Sequence, residues 1–537
     1  MTIDIEFLDL VIIIGYLLGI VALGCWVGIR KKGNTSEGKD YFLAGGSLTW
    51  PVIGLALFST NISTIHLVSL AQEGYVNGLA YGNFEWMAPF TLIILALFFA
   101  PFYIRSKVVT LPDFLEQRYN RACRDWLAVL SIISAVFIHI GFSLYTGAVV
   151  LHGMFGMDLY LCIILTAALT GLYTIVGGLS AVVITESIQT IVLLLGACCI
   201  TAIAYYQVGG WSGLTDSVDP VKLTVMRPAD DPSGLPWYSV LLGYPVIGIW
   251  YWCADQTIVQ RVLGAKDENH ARIGPLFAGF IKIFPLFIFV LPGLMCAALI
   301  KQGKLPDELA NSADTYAFMI GHLLPVGLKG IVAAALLAAL MGTVSGALNS
   351  TATLFSYDLF KRWRPATEDH KLVVIGRIVT FVAMIAAIVW SPLLGRFESI
   401  FQGVNSMICY IAPPITTVFL WGVLWKGASP RAAQVTLYAG SVLGLSVFLL
   451  DWFKETTHWN VPFMMAAFYL FVVCSMMLAA LSMIWKRVAT PESDRLIWDN
   501  PMACLRADET TWRGIGDFRL VSAVLFLTML GLYWLFA

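Results

Sequence analysis

Crossing a bilayer as a helix takes about 20 consecutive apolar residues, and by that measure the chain is a succession of about fourteen apolar runs. They fall at Leu8–Ile29, Trp50–Ser69, Phe84–Ile104, Trp126–Phe155, Leu159–Ile175, Ser180–Gln207 and Pro236–Val262. Seven more follow at Ile273–Ile300, Val326–Tyr357, Val373–Trp390, Ile400–Trp425, Ala432–Trp452, Val461–Trp485 and Leu520–Phe536. Between the fourth and fifth spans the sole break is Gly156, Met157 and Asp158. Runs this long predict an all-α polytopic membrane protein, because a helix satisfies its own backbone in lipid. The longest hydrophilic stretches, Val208–Leu235 and Lys486–Asp517, carry no periodic apolar face, so no soluble catalytic domain is expected.

Two spans break the pattern. In span two, Ser59, Thr60, Asn61, Ser63, Thr64 and His66 crowd into the middle of an apolar run. Hydrocarbon cannot satisfy that many polar groups, so they must face protein, ion, solute or water. In span seven, GYPVIGIWYWCADQ carries Gly243, Pro245 and Gly248, which predict an interrupted helix. Interrupted helices at matching places in two halves point to a transporter's binding site near the membrane midplane. A repeat of five spans inverts its second copy. The expected organisation is an extra helix and inner loop (1–47), a first repeat (48–207), an outer loop (208–235), a second repeat (236–425) and three further helices (426–537).

Composition agrees. The 537 residues are 58% hydrophobic and 12% charged, with mean hydropathy +0.79. A net charge of −1 argues against a nucleic-acid partner. Ten cysteines are scattered, without metal-ligand or disulfide spacing. The opening MTIDIEFLD is acidic, unlike a secretory signal, so the first span is expected to be retained.

Placing both termini outside gathers most basic residues on the inner side, from Arg30, Lys31, Lys32 and Lys39 through Arg118, Arg121 and Arg124 to Arg362, Arg364, Lys486 and Arg487. The outer side keeps Lys222, Arg227, Lys301, Lys304, Lys329, Arg396 and Lys454. That is the positive-inside bias. The outer segments carry no N-x-S/T acceptor, which favours a bacterial cell (inner) membrane. No Walker-type phosphate loop is present, and no obligate protein partner is evident.

Several blocks are familiar together: DYFLAGGSLTW before span two, YTIVGGLSA (Tyr173–Ala181), DQTIVQRVLGAK (Asp255–Lys266), the run Lys329–Asp358, and APPITTVFLWGVLWK (Ala412–Lys426). Over about residues 40–430 the chain resembles the sodium/solute symporter family, most of all its sodium/sugar branch. The resemblance implies a LeuT-like 5+5 inverted-repeat core with one helix before and three after. It also implies alternating access and inward solute transport with Na+ as the coupling ion. By the same resemblance the sodium ligands are the carbonyls of Ser59, Ile62 and Ala339 with the adjacent pair Gly342 and Thr343. Family members usually carry two hydroxyls at that pair; here only Thr343 has one, and helix geometry turns Ser345 toward another face. The alternative is that Thr343 bonds its own helix. Glu186 stands where sugar members have Asp, on the ion's route inward; otherwise it is a carboxylate near the inner membrane face.

A sugar site needs groups that bond hydroxyls and an aromatic plate against a ring face. His66, Glu85, Tyr251, Trp252, Lys282 and Asn405 supply these types at membrane depth, and the resemblance places them at or near the sugar pocket. Lys282 unpaired at the midplane would cost about 2.5–3.5 kcal/mol, so it belongs either to the site or to an ion pair, with Glu85 either ligand or partner. Tyr251 and Trp252 are either pocket or core aromatics, and His66 either a ligand or a satisfied buried histidine. Gly248 and Asn405 depart from the sugar pattern. A monosaccharide is expected; the alternatives are a polyol, amino acid or carboxylate, or a sodium-independent facilitator or sensor. Enzymatic chemistry is not expected, because no metal cluster or nucleophile–base motif stands out.

Overall fold

The apolar runs fold as helices, and among the described residues eleven are long and apolar enough to cross a membrane. The computed structural model describes residues 5–30, 41–231, 235–306, 309, 311–396 and 400–537. Lys31, Lys32, Lys39 and the Asp of the DYFLAG block lie outside them. No sheet forms among the described residues; two isolated bridges, Leu48 with Ala265 and Arg227 with Pro236, are the extended pairings.

Eleven differs from about fourteen for local reasons. Spans five and six run as Leu159–Val208, bent at Gly178, where φ is 56° and ψ −155°. A Cβ there would collide with Tyr41, so glycine is required. Span two is divided, and its second half runs on into span three as His66–Ser106; span seven is divided too.

Span two consists of Trp50–Asn61 and Thr64–Asn77. The break was expected near Ser59–Ile62. Ser59, Thr60 and Asn61 instead complete the first helix, and the chain becomes extended at Ile62 (φ −79°, ψ 104°) and Ser63 (φ −97°, ψ 172°). Ser63 starts the second helix as an N-cap, in a capping box closed by His66.

In span seven the expectation for Gly243–Gly248 is corrected. Helix Trp237–Ile249 passes through Gly243, Pro245 and Gly248 without interruption. The two glycines are packing residues: a Cβ at Gly243 would strike the Met464 carbonyl, and one at Gly248 would lie 2.8 Å from both Thr91 and the Tyr244 ring. Thr416 donates to the Val246 carbonyl in the turn after Pro245, at 2.7 Å. The break comes later, at Asp255 (φ −87°, ψ 123°), after a π turn over Trp250–Ala254. Asp255 caps the following helix, Gln256–Leu263, by accepting from the Ile258 amide. The Cys253 carbonyl beside the break accepts from the Tyr103 hydroxyl at 2.6 Å. Local caps and neighbouring hydroxyls thus replace the lost helical bonds, as non-helical backbone at membrane depth requires.

Span nine, Leu328–Leu354, is the central post and is buried along nearly its whole length. Its Gly and Ala residues permit close approach. Its first turn is held by Asp9 of span one, whose Oδ1 accepts from the amides of Gly327 at 2.8 Å and Gly330 at 2.7 Å. At the basic-rich side the buried Arg118 donates to the carbonyls of Gly422 (2.6 Å), Trp425 (3.2 Å) and Ala428 (3.4 Å), closing the end of span eleven.

Candidate functional site

The break in span two opens onto a cavity of about 130 Å3, bounded by spans two, three, four, seven, nine and eleven. That is well above what a single water needs, and is room for a water cluster or one small solute. His66 enters one turn after the break, Glu85 and Phe84 from the start of span three, and Asn405 from span eleven. Tyr251 and Trp252 arrive on the π turn of span seven, and His139 on another in span four, Ser134–Ile140. The extra residue of a π turn re-aims side chains that α-helical periodicity would point elsewhere.

Five of the six expected solute residues (His66, Glu85, Tyr251, Trp252 and Asn405) therefore line one cavity. Lys282 stands behind its wall. Its ammonium donates to Glu85 Oε2 and to Asn61 Oδ1, and lies 5.5 Å from the ring centres of Phe58 and Trp252. Lys282 and Glu85 are thus an ion pair, with Glu85 also facing the cavity. Asn61 joins them to the aromatic plate, its Nδ2 donating to the Tyr251 hydroxyl at 3.1 Å. The sequence reading placed Asn61 in the polar stretch without giving it a role. It missed His139 and Tyr244, whose orientation depends on π turns and on the Gly248 contact; no sequence signal marks either.

His66 Nδ1 accepts from the Ser63 amide at 3.2 Å. In the neutral ring the proton then sits on Nε2, an assignment made from that bond. One side of the imidazole holds the break in shape, and the other remains a donor.

A cluster of oxygens lies beside the cavity. Thr343 Oγ1 is 3.2 Å from the Thr60 carbonyl, 3.5 Å from that of Ile62 and 3.3 Å from that of Ala339. Hydroxyl and carbonyl oxygens are the donors a hard cation takes. Of the expected set, Ile62, Ala339 and Thr343 come together around this hydroxyl. The Ser59 carbonyl faces Gly342 instead, 3.2 Å from where a Cβ would stand. Thr343 also bonds its own helix, donating to the Ala339 carbonyl. Ser345 turns away and donates to the Gly342 carbonyl at 3.0 Å.

Glu186 is fully buried and ion-paired with Arg261 of span seven, at 2.5 Å from Nη2 and 3.3 Å from Nε. Thr60 donates to the same carboxylate at 2.8 Å. The carboxylate is therefore tied to the residue whose carbonyl faces Thr343. Among the described residues no group of three His, Cys, Asp or Glu is placed to hold a transition metal.

Comparison with known proteins sets this geometry in context. The sodium:solute symporter family matches residues 41–440. Similar proteins include sodium/glucose cotransporter 4 of Danio rerio, 34% identical over 84% of this chain and 73% of that one. Sodium/myo-inositol cotransporter 2 of Mus musculus is 34% identical over 82% of this chain and 70% of that one. Among solved structures, a Na+-coupled sialic acid symporter in a substrate-bound outward-open state shares the fold, with TM-score 0.77 and 22% identity over 90% of this chain and 98% of that one.

Proposed function

This chain belongs to the sodium:solute symporter family, and we propose that it is a symporter of a monosaccharide, loading the sugar and the ion on either side of the span-two break. It is a transporter rather than an enzyme, with sodium as its coupling ion. The observation that carries the sugar reading is the cavity itself. A donor from His66, the amide of Asn405 and the Glu85 carboxylate line it with Tyr251 and Trp252, whose rings meet edge to face at 5.2 Å, so that either ring alone is the aromatic plate. Hydroxyls bond the first three, and the apolar face of a ring rests on the plate.

In this reading sodium binds at Thr343 among the carbonyls of spans two and nine. Bound there it fixes the conformation of Ile62 and Ser63, and therefore of His66, so ion occupancy raises solute affinity. The repeats 48–207 and 236–425 then rock about the shared site. One charge moving through 100 mV yields about 2.3 kcal/mol and a tenfold sodium gradient about 1.4, enough for roughly 500-fold accumulation per ion. In this reading both termini lie outside a bacterial cell membrane, an orientation that the excess of Lys and Arg on the inner side supports.

A cyclic polyol is the second reading. It presents the same ring of hydroxyls, and relatives named for glucose and for myo-inositol are both similar to this chain. Uptake of labelled glucose, galactose and myo-inositol into proteoliposomes, with and without an imposed sodium gradient, separates the two. Sodium-driven uptake of none of the three, with a driven amino acid or carboxylate instead, would sink both.

A further inference from the structure

We propose that Gln189 of span six is a sodium-coordinating residue in this chain, its amide oxygen and the Ser59 hydroxyl together taking the place of the hydroxyl missing at Gly342. This rests on the reading that sodium binds between spans two and nine.

The argument starts from the space at Gly342. A Cβ built there would lie 2.6 Å from Ser59 Oγ, 3.2 Å from Gln189 Oε1 and 3.2 Å from the Ser59 carbonyl. Three oxygens from two other helices therefore converge where a side chain would otherwise project. The glycine is not a hole in the ligand shell; oxygens from outside span nine have filled it.

Those oxygens are also unspent. Ser59 and Gln189 are fully buried, and neither Ser59 Oγ nor either amide atom of Gln189 makes a hydrogen bond. A buried polar group without a partner is destabilising, so such groups need an explanation. The hydroxyls of Tyr16 and Tyr173 interact with the same Gln189 side chain, and its Oε1 is the atom that lies toward Gly342.

The cluster adjoins the oxygens around Thr343. Ser59 and Thr60 are consecutive on span two, and Gly342 and Thr343 consecutive on span nine. One cation between these two turns meets Ser59 and Gln189 on one flank, and Thr343 with the Thr60, Ile62 and Ala339 carbonyls on the other. Every oxygen in the set is neutral, so the bound ion keeps its full charge, and its loading responds to membrane voltage. The amide further ties span six to the ion, a helix that the pair Gly342 and Thr343 alone would not engage.

The test reads ion binding without transport. Purified protein is melted across a sodium titration, with choline as replacement and no solute present. Wild type is expected to gain thermal stability with sodium. In Gln189→Leu the half-effective sodium concentration should rise about tenfold, with no loss of melting temperature in choline. Adding Ser59→Ala and Gly342→Ser to that variant clears the 2.6 Å contact and returns a hydroxyl to span nine; the half-effective concentration should fall back to within about threefold of wild type. If the leucine variant does not fold, Gln189→Asn withdraws the oxygen by one methylene and should show the same rise. An unchanged half-effective concentration means that the amide pairs only with water, and overturns this inference while leaving the Thr343 site standing. A rise that the returned hydroxyl does not reverse also overturns it. No sodium effect in wild type overturns the ion site and this inference together.

Discussion

The Tyr251 hydroxyl accepts a 3.1 Å hydrogen bond from Asn61 Nδ2. The bond joins the π turn above the break in span seven to the last helical residue before the break in span two. Each broken helix therefore holds the other in register across the cavity, and the polar partner of the aromatic plate is the residue that also holds Lys282. Tyr251→Phe keeps the plate and removes this bond alone, worth about 0.5–1.5 kcal/mol. Sodium-driven uptake should persist, with the solute half-saturation raised by up to about tenfold. Loss of all uptake, in a variant that still melts as wild type does, would mean that the hydroxyl contacts solute directly.

Glu85 and Lys282 form a buried ion pair at the cavity wall. Removing one partner of a buried pair leaves the other charge unpaired and costs about 3–5 kcal/mol, whereas replacing both with apolar groups is often neutral. Glu85→Leu and Lys282→Met should each lower the melting temperature sharply, and the double variant should recover most of the loss. Because Glu85 also faces the cavity, the recovered double variant should still fail to bind sugar in a direct binding assay. Wild-type binding by the double variant would make the pair scaffold only.

How much of this was legible in the chain depended on what lipid forbids. The crowding from Ser59 to His66 contradicts an apolar environment, and it marked the span that does break. Span seven shows the limit of the same logic. Gly243, Pro245 and Gly248 signal weakness, but a helix packed against Met464 and Thr416 tolerates them, and the interruption falls where Asp255 caps the next segment. The π turns that deliver Tyr251 and His139 leave no local pattern, because they are settled by packing. Long-range pairs were equally hidden. Asp9 read as one more acid near the start, yet it caps a helix 318 positions away, and Arg261 read as an inner-side charge, yet it neutralises Glu186 in the interior.

Thr343 Oγ1 lies within 3.5 Å of three carbonyls from two spans. Thr343→Ala withdraws the one side-chain oxygen at the centre of that set and leaves the helix intact. Losing a ligand of this kind is expected to raise the sodium concentration for half-maximal uptake by about tenfold or more, equivalent to about 1.4 kcal/mol. Membrane insertion and melting in sodium-free buffer should be unchanged. Sodium activation identical to wild type would remove Thr343 from the ion site.

At the basic-rich side, Glu116 of helix Leu111–Arg118 bridges Arg124 and Arg362, each at 2.7 Å. Arg124 also holds Asp358 at 2.7 Å, so the cluster ties the ends of spans four and nine to the short helix. Partial burial works to raise the Glu116 pKa, but the hydrogen bonds from Arg124 and Arg362 outweigh it and hold the carboxyl below its ordinary value of 4.5. A carboxyl depressed in the folded state contributes stability that is present above its unfolded pKa and is lost as pH falls through the folded one. Wild type should therefore melt above Glu116→Gln at neutral pH, by an amount corresponding to about 1 kcal/mol or less for a partly exposed pair. The two curves should converge as the pH is taken below about 4.5, where the carboxyl protonates. Salt should shrink the neutral-pH difference, because such charges are screened over about 10 Å at 0.1 M. A difference that survives unchanged into acid would show that Glu116 acts through packing rather than charge.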